Sequence, residues 1–259
     1  MQSLQPLPAL RDNYIWMLAD TSAGTAMVVD PGEAQPVLAA LAAQGLRLTA
    51  ILLTHHHADH IGGVPALVQA FPTVQVLAPQ DERIPYATQH VAHSDCVVLE
   101  SPAARFEVIE VHGHTRSHVA YFGEGTLFCG DTLFSLGCGR VFEGTPAEML
   151  ASLDRLAHLP GATRVCCAHE YTLANAAFAH TVDPDNAALA ARTREAHVQV
   201  AHDQPTLPAV LADELAANPF LRVECVADAR IAWPAGTVPT TDRTSRFAAL
   251  RLAKDHFAA

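Results

Sequence analysis

Residues 54–60 read Thr, His, His, His, Ala, Asp, His, directly after the apolar run 48–53. Such a run reads as a buried strand, so the imidazoles of His55, His57 and His60 and the carboxylate of Asp59 collect where a strand leaves the core. Alternate residues of an extended segment point the same way, so His55 and His57 converge on one point. Asp59 and His60 follow one turn later, and Gly62 and Gly63 let the backbone fold back, which aims this second pair a few ångströms away. Imidazole and carboxylate are the ligands that borderline divalent cations such as zinc prefer. His56 has the wrong parity for the first point and reads as a spectator.

Three further fragments place a histidine or aspartate where a short apolar stretch stops. His112 and His114 follow the run 106–111, Asp131 follows 126–128 with Gly130 between, and His169 and Glu170 close 165–168. Strands fix the positions of such groups while their ends stay accessible, so together the fragments read as one site at the end of a sheet.

The coarse pattern alternates strands and helices. Strands are expected at 14–18, 26–29, 48–53, 74–77, 97–99, 106–111, 119–122, 126–129 and 164–167. Helices are expected at 34–44, with Pro36 in the first turn, at 64–71, and from a Thr145/Glu148 capping box to about 158. After Tyr171 strand signals almost vanish, and 174–180, 186–202, 207–217 and 246–257 carry helical spacing. The expected organisation is a catalytic α/β layered domain over 1–170 and a small all-α C-terminal domain over 171–259. His197 and His202 read as exposed helix residues.

Composition narrows the function classes. The chain has 259 residues, half of them hydrophobic, enough for a sizeable core but without the ~18-residue apolar run of a membrane span. A formal charge of −11 argues against nucleic acid, which needs a clustered basic surface. The start of the chain shows no basic stretch followed by an apolar one, so no secretory signal is expected and the cytoplasm is the expected compartment. Six cysteines lack Cys-x-x-Cys spacing and read as reduced thiols, most in apolar surroundings. Lys254 is the single lysine beside fifteen arginines, which draws attention to the C-terminal end.

In order and spacing, 54–60, His114, 130–132 and His169 resemble the metallo-β-lactamase superfamily. Residues 12–16, 137–140, 142–145, 169–172 and 218–222, with Arg251, Lys254 and Asp255, narrow the resemblance to its hydroxyacylglutathione hydrolase family, from about residue 4 to 258. The resemblance implies an αββα sandwich. It implies two divalent metal ions, zinc first with iron or manganese as alternatives: His55, His57 and His114 on one, Asp59, His60 and His169 on the other, and Asp131 bridging. It also implies hydrolysis of S-D-lactoylglutathione, with Asp59 and Asp131 catalytic and Arg140, Tyr171, Arg251 and Lys254 binding the glutathione thioester. No nucleic acid or membrane partner is expected, and a monomer is the default.

The chain departs from the family pattern at His112, where proline is usual, at Phe142, where some relatives have tyrosine, and at Ala168, where glycine is common. Other readings are another enzyme of the same fold, such as a lactonase, β-lactamase, nuclease or persulfide dioxygenase, or a non-catalytic metal-stabilised module. A closed structural zinc site needs four ligands, and seven candidates exceed that.

Overall fold

The structure, a computed structural model, describes residues 1–233 and 240–257. By packing, the chain resolves into two compact units. The first is Met1–Glu110 with Ser117–Gly130, and the second is Val111–Arg116 with Asp131–Ala259.

In the first unit a six-stranded sheet runs in chain order: β1 (Gln2–Ala9), β2 (Asn13–Asp20), β3 (Thr25–Val29), β4 (Arg47–Leu52), β5 (Gln75–Pro79) and β6 (Gln89–Val91). β1, β2 and β3 pair antiparallel, and β3 to β6 pair parallel. Parallel neighbours need a crossover, supplied by α1 (Gln35–Gln44) between β3 and β4, and by the short α2 (Ala58–Ile61) and α3 (Val64–Ala70) between β4 and β5. One sheet face packs Ile15, Met17, Val28, Ile51 and Val76 against Val37, Leu41, Val64 and Leu67 of the helices. The alternate residues Trp16, Met27, Ala50, Leu52 and Leu77 are buried as well, which is why these strands read as continuous apolar runs.

The antiparallel strands β7 (Cys96–Glu100), β8 (Ala103–Glu110), β9 (Val119–Gly123) and β10 (Thr126–Gly130) follow one another in space. They are tied to the first sheet through the buried Tyr121 hydroxyl, which donates to Leu53 O at 2.9 Å with Leu77 O at 3.3 Å. β1 escaped the sequence reading because Pro6 and Pro8 speak against a strand. It is tolerated because β1 is an edge, paired on one side only.

The second unit contains a two-stranded hairpin, β11 (Leu133–Phe134) and β12 (Gly137–Cys138), then α4 (Pro146–Ala157), β13 (Arg164–Cys167), α5 (Thr172–Val182), α6 (Ala187–Ala201), β14 (Ala209–Val210), α7 (Leu211–Ala217) and α8 (Arg243–Asp255). The expected capping box forms at α4: Thr145 accepts from Glu148 N, and the Glu148 carboxylate accepts from Thr145 N. Ala176, Ala179 and Ala217, small side chains that let helices approach closely, pack with Leu136 and Leu189. Phe178, Phe220 and Phe247 add an aromatic row with centroids 6.0 and 5.9 Å apart. The helix expected over 207–217 starts only at Leu211. Pro208 disfavours helix at the residue before it, and Ala209 and Val210 pair with β13 instead.

Candidate active site

In the first unit the histidine motif leaves the C-terminal end of the parallel strand β4, next to the equivalent end of β3. Ligand sites in α/β sheets gather at such ends. His55 and His60 are fully buried. The ring centroids of His55 and His57 lie 4.7 Å apart, and those of His55 and His60 lie 4.0 Å apart, so the expected convergence occurs. The turn of α2 brings Asp59 Oδ2 to 3.6 Å from His60 Nε2. Asn13 Nδ2 donates to that same oxygen at 3.2 Å and to the Asp59 carbonyl at 3.3 Å. Gly32 is needed beneath this turn, because a Cβ there would stand 2.0 Å from Asp59 O.

His56 turns elsewhere, with Nδ1 at 3.6 Å from Asp81 Oδ2. The Asp81 carboxyl is held well below the usual carboxylate range, first by its hydrogen bond from Arg83 and further by one from Ser117.

Two buried groups here have no local signal in the sequence. Asp30 reads there only as part of a turn, yet its carboxylate binds Thr54 and His60. His118, fully buried, stacks on His55 with centroids 4.5 Å apart and planes 16° apart. An aspartate closing an apolar strand next to the histidine-bearing one is the only hint that could have singled out Asp30.

In the second unit Asp131 lies between two imidazoles. Its Oδ2 is 3.5 Å from His114 Nε2, and its Oδ1 is 3.4 Å from His169 Nε2. His114 Nδ1 donates to Arg140 O at 2.9 Å, which leaves Nε2 as the nitrogen with the lone pair. His169 stacks on Tyr171 with centroids 4.7 Å apart, and Phe134 meets both rings edge-on. Gly139 passes so close that a Cβ would sit 1.9 Å from Asp131 O.

A cavity of about 490 Å³ opens here, with His114, Asp131, Arg140, Tyr171, Arg251 and Lys254 among its lining. All four residues expected to bind substrate therefore share one wall system with two expected metal ligands. Their states differ. Arg251 is buried, donating to Cys138 O at 2.7 Å and to Asp255 Oδ1 at 3.1 Å. Arg140 is largely exposed, its Nε 3.5 Å from the same Asp255 oxygen. Lys254 Nζ donates to Ala174 O at 3.1 Å and lies over Phe178 and Phe257. Partial burial, with the charges of Arg251 and Arg140 next, pushes its pKa down to about 8. Burial likewise lifts the Cys138 thiol to about 11. Phe142 is exposed at the rim and meets His114 edge-on at 5.2 Å.

The donor set of each unit suits a divalent cation: imidazole nitrogens and carboxylate oxygens only, with no thiolate among them. The metallo-β-lactamase superfamily model matches residues 10–169, a span that includes all of these candidate ligands. The fold also matches the crystal structure of the B3 metallo-β-lactamase BLEG-1, with a TM-score of 0.64, 24% identity, 85% of this chain and 99% of that one covered. It matches a protein crystallised in a di-iron-bound form with a TM-score of 0.60 and 25% identity over 84% of this chain and all of the other.

Residues 170–257 match the model of the hydroxyacylglutathione hydrolase C-terminus. The chain is 56% identical over 256 residues to hydroxyacylglutathione hydrolase of Xanthomonas campestris pv. campestris, covering 99% of each. It is 57% identical over 220 residues to that of Stenotrophomonas maltophilia, covering 85% of each. The chain belongs to the hydroxyacylglutathione hydrolase family. It is a glyoxalase II-type hydrolase of glutathione thioesters that uses divalent metal ions. No described helix is long and apolar enough to cross a membrane.

Proposed function

We propose that the chain cleaves S-D-lactoylglutathione to D-lactate and glutathione with two divalent cations, zinc being the first choice. His55, His57 and His114 would hold one, Asp59, His60 and His169 the other, and Asp131 would serve both. The observation that carries this reading is the split of the Asp131 carboxylate, one oxygen toward His114 and the other toward His169. Only a carboxylate has two acceptor atoms to divide in this way. Iron stays open as an alternative, as the fold relative with two irons illustrates.

Bound divalent cations lower the pKa of a water molecule from about 15.7 toward about 7, which makes hydroxide available at neutral pH. The chain does the rest. Asp59, oriented by Asn13, accepts the proton of the attacking water. Lys254 and Arg140 give the glutathione carboxylates cationic partners, while the buried Arg251 adds charge and fixes Cys138. Tyr171 stacks on His169 and holds it in orientation. A thiolate leaves without a general acid, and a Ser–His–Asp nucleophile is not required.

The division of labour is a catalytic domain over 1–170 and a substrate-gripping helical domain over 171–259. The reading takes the chain as a monomer of the cytoplasm, where its six free thiols stay reduced. Steady-state assay of purified protein on a panel of glutathione thioesters, lactones and β-lactams, with metal analysis, tests it. Preference for 2-hydroxyacylglutathiones with two metals per chain is expected. Faster lactone or β-lactam turnover, or full thioesterase activity with one metal, would overturn it.

A further inference from the structure

The ammonium of Lys254, the single lysine of the chain, reaches the cavity wall from the last turn of α8. Two aromatic faces lie against it. Its Nζ is 5.4 Å from the ring centroid of Phe257 and 5.6 Å from that of Phe178, both inside the ~6 Å range of a cation–π contact. The two rings meet edge-on with centroids 5.5 Å apart, which forms a corner where one ammonium meets both. Phe178 is buried in α5 and stacks on Phe220. Phe257 stands two residues beyond α8 and lines the cavity with Lys254. Its N–H donates to Lys254 O at 3.3 Å, which folds the chain end back toward the lysine.

The charges around Lys254 give this corner a purpose. Arg251 of α8 and Arg140 after β12 repel the ammonium, while Asp255 of α8 and the Cys138 thiol of β12 favour it. Tyr171 lines the same cavity. Asp255 Oδ1, however, is turned to the two arginines, 3.1 Å from Arg251 and 3.5 Å from Arg140. The Lys254 Nζ donates instead to a neutral carbonyl, Ala174 O. A carboxylate in direct contact would hold the ammonium more strongly, but a carboxylate of the substrate would then have to displace it. The negative face of an aromatic ring attracts a cation without neutralising it.

We propose that Phe257, with Phe178 beside it, is a positioning residue for substrate binding, its ring face holding the charged Lys254 ammonium at the cavity wall for a substrate carboxylate. The proposal deepens the reading under Proposed function, in which Lys254 is a cationic partner of glutathione, and rests on it.

A single lysine makes the test direct, because protein labelled with ¹³C at lysine Cε gives one side-chain signal whose titration reads Lys254 alone. Burial, with the two arginines next, sets that pKa at about 8, and losing a group that favours the charged form lowers it further. Phe257→Leu, apolar but without a π face, should lower it by roughly half a unit. The same variant should raise KM for glutathione thioesters about 2–5-fold at neutral pH with little change in kcat. Phe257→Tyr should restore both values. Trifluorinated phenylalanine at position 257 keeps the ring shape but weakens its negative face, so it should raise KM as leucine does, and it decides the matter if Phe257→Leu fails to fold. A Lys254 titration and KM unchanged in the leucine and fluorinated variants would overturn the proposal. So would a KM raised by leucine but not by the fluorinated ring, since packing alone would explain it. Wild-type KM in Lys254→Ala would instead overturn the substrate role of the lysine itself.

Discussion

Lys254 is the residue whose chemistry most directly couples to pH. Its ammonium is half-buried beside two guanidiniums, and its pKa falls to about 8. A lowered pKa means the charged form prevails only below that value. If Lys254 grips a substrate carboxylate, KM should rise as pH passes through about 8 while kcat stays flat. Lys254→Arg, charged at all these pH values, should remove the rise, and Lys254→Ala should raise KM more than it lowers kcat. Initial rates between pH 7 and 9 check this, and an identical KM profile in wild type and Lys254→Arg would exclude the lysine as the titrating group. Asp131 offers a sharper test. Asp131→Ala removes both oxygens that face His114 and His169, so two-metal binding should be lost, as metal analysis after gel filtration reads. Retention of two metals with full turnover would count against the bridge.

At the scale of elements, the hairpin β11–β12 is too short to hold itself, with two residues in each strand. It supplies Phe134 and Cys138 to the cavity wall, so something must fix it. Asn218 Nδ2 donates to Phe134 O at 3.1 Å and to Gly137 O at 3.0 Å. The buried Glu214 accepts from Ser135 Oγ and Leu136 N, and desolvation pushes its pKa up. Asn175 donates to Ser135 O at 3.0 Å. These three side chains come from helices α5 and α7 or their ends, which explains the Asn218 motif as scaffolding for the cavity wall. Asn218→Ala strands two buried carbonyls and should cost about 2–4 kcal/mol of stability, measured by urea denaturation. A loss below about 0.5 kcal/mol, the level of an ordinary surface change, would mean that water replaces the amide.

For the molecule as a whole, the candidate ligands spread over strand ends would make a bound metal ion a stabilising partner of the folded state. Binding to the native state alone stabilises by RT ln(1 + [L]/Kd), about 4 kcal/mol at ~1,000 times Kd. Chelation should therefore lower the apparent Tm, and added zinc should raise it in a concentration-dependent way, as calorimetry would record. A Tm indifferent to chelator would mean that the fold does not need the ions. The sequence by itself determined the convergence of side chains at the His55–His60 motif, the strand–helix alternation and the family. These follow from chain-local spacing, which backbone geometry converts directly into direction. Tertiary structure alone decided that Asp30 stands behind two histidines, that His118 stacks on His55, that Arg251 also bonds to Cys138 and Asp255, and that Glu214 carries the hairpin. Apart from the contact of Arg251 with nearby Asp255, each depends on partners 24 to 113 residues apart. Such contacts arise from strand pairing and helix docking, and no local periodicity records them.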